Sequence, residues 1–187
     1  MKERRLIVAS ASPRRRELLQ TAGVTFTVKV SDADEHIEPD TPPHEAVMSL
    51  ARQKAQAVAK SCPDDLVIGA DTVVVYDGAI LGKPADEGDA ARMLRMLSGK
   101  THTVFTGVCI VRAGKTETFF EQTQVTFYPL TEREIAEYVA TREPMDKAGA
   151  YGIQGRGCTL VQCICGDYFN VVGLPVAALC RRLREYA

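Results

Sequence analysis

Leu6-Ile7-Val8-Ala9-Ser10-Ala11-Ser12-Pro13-Arg14-Arg15-Arg16-Glu17-Leu18-Leu19 joins an apolar run to a serine- and arginine-bearing turn. Leu6 to Ala9 is a short apolar run suited to a buried strand. Ser12 then has the chemistry of an N-cap and Pro13 that of a first helical residue, which predicts a helix through Leu18 and Leu19 to a stop at Gly23. A strand feeding a helix N-terminus leaves unpaired N–H groups and a positive dipole end at the junction. The hydroxyls of Ser10 and Ser12 stand close by, and Arg14 and Arg15 are able to add bidentate contacts to phosphate oxygens. Read alone, this stretch suits a phosphate-gripping loop and a capped surface helix with solvated arginines equally well.

Working outward, Phe26–Val30 reads as a second strand and Ser31 to Pro43 as an acidic, proline-containing loop. Thr41-Pro42 opens a long helix to about Ser61, with Val47, Leu50, Ala51, Ala55 and Val58 inward. Leu66 to Val75 is a buried strand interrupted by Asp71 and Thr72, and Asp77-Gly78 turns it into Ile80-Leu81. Asp86 caps a helix ending before Gly99, and His102–Arg112 and Thr116–Phe127 pair around Ala113-Gly114. Thr131 to Glu134 is a capping box. Strands are expected around Leu160–Cys165 and Tyr168–Val172, then a C-terminal helix opened by Pro175 and ending in basic residues. Interspersed helices and hairpin-joined strands imply a mixed-sheet α/β or α+β fold.

The composition narrows the function. A chain of 187 residues, 45% of them hydrophobic, suits one domain, 1–187, with two lobes. The 23 basic and 24 acidic side chains leave a net charge of -1 and disfavour a general nucleic-acid binder, so any anion site is local. No apolar run reaches the ~18 residues of a membrane span. The charged start, Met1 to Arg5, and the brief apolar run after it do not make a signal-peptide core, which implies the cytoplasm. There the six cysteines are expected as thiols. Cys158, Cys163 and Cys165 alternate in a strand-like run and read as buried small side chains rather than as a zinc site. The three histidines are isolated, with His102 structural, and Tyr138, Tyr151 and Tyr168 read as core or boundary residues.

Four further constellations carry chemistry. An aspartate inside an apolar strand, Asp71 in Gly69-Ala70-Asp71-Thr72, costs desolvation unless it is paired or binds a metal. Pro84 holds Lys83 extended, and Lys54 lies on the long helix; each is also compatible with an ordinary solvated lysine. Glu35 sits in the acidic loop and, with Asp71, would offer the oxygen ligands that Mg²⁺ or Mn²⁺ prefers, although acidic loops are usually just solvated. In Asp146 to Gly155 the glycines permit close backbone approach to a ligand. The Gln154 amide, donor and acceptor at once, matches the base edge of uracil or thymine.

Together these segments resemble the Maf family of nucleoside triphosphate pyrophosphatases. The resemblance runs in order over nearly the whole chain. It takes in Ala9 to Arg15, Asp34-Glu35, Ala51-Arg52-Gln53-Lys54-Ala55, Gly69 to Thr72, Gly82-Lys83-Pro84, Asp146 to Gly155 and Val172-Gly173-Leu174-Pro175. Ala150 to Gly155 is similar to the subgroup that hydrolyses dTTP and UTP; Leu160 departs from the aromatic residue expected there. The resemblance implies a cytoplasmic, divalent-metal-dependent enzyme, often a homodimer, that converts a nucleoside triphosphate to monophosphate and pyrophosphate. It implies an elongated mixed sheet with flanking helices and a cleft between two lobes, like the inosine-triphosphate pyrophosphatases. The proton acceptor falls on Asp71 and the specificity positions on Arg14, Thr72 and Gln154. Phosphate contacts fall on Ser10, Arg14, Arg15, Lys54 and Lys83, and metal contacts on Glu35 and Asp71. A link to arrest of cell division and septum formation comes with the family, as does exclusion of modified pyrimidine nucleotides. The competing classes are a non-enzymatic nucleotide-binding division regulator and a house-cleaning enzyme for non-standard purine triphosphates. An arginine-based nucleic-acid module is a weaker rival, disfavoured by charge balance and 6% aromatic content.

Overall fold

The structure, a computed structural model, describes residues 5–38 and 40–186. The charged start read at Met1 to Arg4, and Pro39 of the acidic loop, lie outside the described residues. Strand β1 (Leu6–Val8) leads into helix α1 (Pro13–Thr21), followed by β2 (Thr27–Val28) and α2 (Pro43–Ala59). Then come β3 (Leu66–Tyr76), β4 (Ala79–Leu81), α3 (Glu87–Leu97), β5 (Thr101–Arg112), β6 (Lys115–Phe127) and α4 (Glu132–Ala140). After short 3₁₀ turns the chain ends with β7 (Val161–Cys165), α5 (Tyr168–Val172) and α6 (Val176–Leu183). The sheet runs β2-β1-β3-β5-β6-β7, with β4 paired to β3 off this path. It is mixed, because β1 pairs in parallel with β2 and β3 while β3–β4 and β6–β7 are antiparallel. The expected mixed α/β class is therefore the observed one.

Local chemistry places most of these elements. The Asp86 carboxylate accepts the Asp89 N–H at the start of α3, and Thr131 and Glu134 close a full capping box on α4. Asp77 and Gly78 both take positive φ, 49° and 76°, the pattern of a two-residue hairpin turn between β3 and β4.

The chain packs as two compact units. The first comprises the described residues up to Thr72, then Thr106–Glu121 and those from Gly173 onward. The second comprises Val73–Phe105 and Gln122–Val172. Each has its own core. In the first, Ile7, Ala51, Ala55, Val58, Val67 and Cys109 pack together. There α2 lies directly on the sheet, because a Cβ on Gly69 would stand 2.3 Å from the Ala51 carbonyl oxygen and one on Gly107 would stand 2.4 Å from that of Val47. In the second, Met93, Leu94, Leu97, Val125, Phe127 and Ile135 form the centre.

Four expectations change. Tyr168–Val172 is helical rather than extended. Its Asn170 is fully buried and donates to the Val104 carbonyl and to Thr123 Oγ1, while Asp167 accepts the Phe169 N–H, so buried polar bonds outweigh the β-propensity of the run. Tyr168, accordingly, is exposed. Cys158, Cys163 and Cys165 are exposed, not buried. Strand β7 ends the sheet order, and only Val161 and Ile164 of the strand pack onto the core. The second strand shrinks to Thr27–Val28, both exposed. Ser12 holds the N-cap position of α1, yet its hydroxyl makes no cap bond.

His102 is structural, as expected. It is buried edge-on to the rings of Phe127 and Tyr151 at 5.0 and 5.2 Å, with Nε2 2.7 Å from the Tyr151 hydroxyl. Burial lowers its pKa from 6.5 to about 4, so it stays neutral in the fold. The unfolded chain takes up this proton first. The stability His102 confers is therefore complete above pH 6.5 and declines as pH falls toward 4. His102→Phe should remove about 2 kcal/mol of the stability loss between neutral pH and about pH 5. Urea midpoints of the variant and the natural chain at both pH values check this; parallel declines would contradict it.

Candidate functional site

The first unit assembles two adjoining clusters from residues far apart in sequence. One is centred on Arg15, in the second position of the α1 turn that follows Pro13. Its Nε donates to the Gly173 carbonyl at 2.8 Å, and its two terminal nitrogens donate to Ser10 Oγ and Thr72 Oγ1, each at 3.2 Å. Thr72 Oγ1 also lies 2.9 Å from the buried Thr106 hydroxyl and 3.4 Å from the Gly173 carbonyl. A guanidinium carries five N–H donors; three are used among the described residues, which leaves two there for an anion. Ser10 Oγ accepts from the Ser12 N–H and from Arg15, which leaves its own proton to donate outward. Ser10, rather than Ser12, is thus the hydroxyl that organises the turn into α1. Burial lowers the Arg15 pKa, and Arg14 nearby lowers it further, while Asp71 and Glu35 act in the opposite sense. Those two carboxylates belong to the second cluster.

The second cluster centres on Lys54 of α2. Its ammonium donates to Asp71 Oδ1 at 2.5 Å and stands 3.1 Å from Glu35 Oε2. Asp71 and Lys54 are nearly closed off, at 15% and 14% side-chain exposure, while Glu35 is 45% exposed. The buried-strand aspartate has therefore found the cation that its desolvation required. Glu35 reaches this point because α2 also holds the acidic loop. The Gln53 amide accepts the His36 N–H at 3.0 Å and donates to the His36 carbonyl at 2.7 Å. Two carboxylates converging on one point form a hard-oxygen donor set. It fits a divalent cation of the Mg²⁺ or Mn²⁺ kind, which takes one or two carboxylates and completes its shell with water and phosphate. No group of three or more His, Cys, Asp or Glu that could hold a metal occurs among the described residues.

The structure thus brings together Ser10, Arg15, Glu35, Lys54, Asp71 and Thr72, with Arg14 next to Arg15 on α1. Lys83 and Gln154 belong to the second unit. Lys83 is exposed after β4, and the Gly149 N–H bonded to the Gly82 carbonyl at 3.0 Å ties its loop to the glycine-rich segment. Gln154 is half-buried, and its amide has no hydrogen-bond partner among the described residues. Thr106 and the Gly173 carbonyl join the cluster without a local motif that assigns them a role. Only the Val172 to Pro175 stretch hinted at the latter; a lone threonine within a strand carries no such signal.

The arrangement offers hydroxyl and guanidinium donors at a helix N-terminus beside a cation-paired carboxylate. A family match and curated relatives bear on its use. Residues 5–186 match the protein family described as Maf-like protein. The dTTP/UTP pyrophosphatase of Bacillus cereus (strain AH820) is 56% identical over 183 residues, covering 98% of this chain and 96% of that protein. That of Bacillus mycoides (strain KBAB4) is 56% identical over the same coverage. Among solved structures, the Ham1 protein of Staphylococcus aureus aligns with a TM-score of 0.44 at 15% identity, over 66% of this chain and 72% of that one. Among the described residues no helix is long and apolar enough to cross a membrane.

The Arg15 fork gives a direct test of the first cluster. Lysine cannot reach three acceptors in fixed geometry. Arg15→Lys should lower stability by about 1–3 kcal/mol in urea denaturation. An unchanged midpoint would show that the latch is energetically idle.

Proposed function

The chain belongs to the Maf family, and on that premise we propose that it hydrolyses dTTP and UTP to the monophosphate and pyrophosphate. The observation that carries this reading is the convergence of Lys54, Asp71 and Glu35 beside the Ser10–Arg15–Thr72 cluster. A pure binding module has no need of a carboxylate buried against a cation.

Hydrolysis between the α- and β-phosphates requires water to approach the α-phosphorus in line with the leaving pyrophosphate, while charge grows on the phosphate oxygens. Ser10 donates its remaining hydroxyl proton to a phosphate oxygen. Arg15 offers its two remaining N–H groups and Arg14 its guanidinium from the next helical position. These preorganised donors cost little reorganisation as charge develops. Asp71 Oδ accepts the proton of the attacking water or orients it, and Glu35 lies across the same point. When bound by Glu35 and Asp71, a divalent cation supplies charge neutralisation on the phosphates and a more acidic water. Lys54, now paired with both carboxylates, is near enough to serve as a phosphate donor once they are otherwise engaged. Lys83 adds a second lysine ammonium to the triphosphate, and Gln154 and Thr72 read the base. The preference for pyrimidines rests on the Gln154 amide, whose adjacent acceptor and donor match N3–H and a carbonyl of uracil or thymine. It rests equally on the names of the relatives that are 56% identical.

Asp71→Asn keeps the side-chain volume and removes the base and the anionic ligand. Pyrophosphate release from UTP or dTTP with Mg²⁺ or Mn²⁺ should fall by about 10²-fold or more while the fold persists. The same assay run over a panel of pyrimidine and non-standard purine triphosphates tests substrate class. Turnover of the Asn variant at the natural rate would remove Asp71 from the chemistry.

A further inference from the structure

The segment that carries Gln154 is laced at its base by two side chains that the reaction does not itself use. The Tyr138 hydroxyl, from α4, accepts the Gly152 N–H at 3.1 Å and donates to Glu143 Oε1 at 2.9 Å. Glu143 in turn accepts the Gly157 N–H on Oε1 at 3.1 Å and the Arg156 N–H on Oε2 at 2.9 Å. Between these tied ends lie Ile153, Gln154 and Gly155. Ile153 is buried. Gly155 takes φ +66°, and a Cβ there would stand 2.6 Å from Glu143 Oε2. The two ends of the loop touch as well, since a Cβ on Gly157 would stand 2.1 Å from the Gly152 carbonyl oxygen. The loop is therefore pinched shut, with Gln154 at its tip.

Glu143 is itself held. Its N–H donates to Thr141 Oγ1 at 3.1 Å, and its carbonyl accepts Lys147 Nζ at 2.6 Å. Burial pushes its carboxyl pKa upward. The Arg156 and Gly157 N–H groups, the Tyr138 hydroxyl and Lys147 outweigh that, so the group lies below the ordinary glutamate range and accepts as a carboxylate. Burial raises the Tyr138 pKa, which keeps its hydroxyl protonated for the bond to Glu143.

An amide that must distinguish N3–H from a lone pair is useful only if its orientation is fixed before the base arrives. Otherwise ordering the loop consumes the binding energy that discriminates. We propose that Glu143 and Tyr138 are positioning residues for base recognition, acting through the backbone of Gly152, Arg156 and Gly157 to hold Gln154 in its reading orientation. This rests on the pyrimidine triphosphatase reading above.

The test is steady-state turnover of UTP, dTTP and CTP by the natural chain and by Gln154→Ala, Tyr138→Phe, Glu143→Gln and Glu143→Ala, each checked for a folded melt. Hydrogen exchange is measured across residues 152–157. Tyr138→Phe and Glu143→Gln should each reduce the preference for UTP over CTP in kcat/KM by about tenfold, through KM for UTP, with kcat within about twofold. Exchange across the loop should quicken, and Glu143→Gln, which keeps one acceptor oxygen, should lose less than Glu143→Ala. A merely structural role would lower activity on all three nucleotides together and leave the ratio unmoved. If Gln154→Ala abolishes the preference while Tyr138→Phe and Glu143→Gln retain it, the proposal is overturned and the pyrimidine reading stands. If the natural chain releases no pyrophosphate from UTP or dTTP, that reading falls and the proposal with it.

Discussion

A carboxylate in the middle of a buried strand is the constraint around which the first unit is arranged. Asp71 lies on β3 with apolar residues on either side along the strand, and ionised without a partner it would cost several kcal/mol. Lys54 is the answer, and it can reach only if α2 sits directly against the sheet. Gly69 and Gly107 permit that approach, since any side chain at either position would enter the helix backbone. The same placement sets Gln53 against the backbone of His36 and so delivers Glu35 to the ammonium. The two ion pairs of one lysine thereby tie a helix to a strand and to an otherwise irregular loop.

Much of this was written locally. Pro13, the Asp86 cap, the Thr131–Glu134 box and the Asp77-Gly78 turn act within a few residues of themselves, and each is found where its chemistry demands. The strand-to-helix step with Ser10 and Arg15, and the oddity of Asp71-Thr72 in an apolar run, were equally visible. What escaped reading depends on partners far along the chain. Tyr168 to Val172 has strand-like composition, and the buried bonds of Asn170 to Val104 and Thr123, with the Asp167 carboxylate on the Phe169 N–H, hold it as a helix. The exposed cysteines reflect the place of β7 at the end of the sheet, which alternation alone does not reveal. Thr106 and the Gly173 carbonyl join the Arg15 cluster across separations of 34 residues to Thr72 and 158 residues to Arg15. Glu143 carries no motif of its own; its significance is in which amides it receives.

The two units carry different parts of the proposed site. The first holds the charged apparatus: guanidinium and hydroxyl donors at a helix start, and the paired carboxylates. The second holds a glycine-rich loop whose tip side chain has no hydrogen-bond partner among the described residues while its base is heavily tied. Rigid backbone with one uncommitted polar tip is the arrangement that recognition by a few directional bonds favours.

Arg15 gives the arrangement a temporal side. Its shortest tie, to the Gly173 carbonyl, spans nearly the whole chain, and the first unit includes the residues from Gly173 onward. A ribosome makes every residue of the second unit, which ends at Val172, before it makes that last segment. During synthesis the loop-bearing unit has its full set of contacts available first, whereas the phosphate-side cluster must wait for the C-terminal segment to emerge. Until then Arg15 and the Lys54–Asp71 pair belong to an incomplete unit. In the order of manufacture, every residue of the unit that carries Gln154 exists before the unit that carries Asp71 is complete.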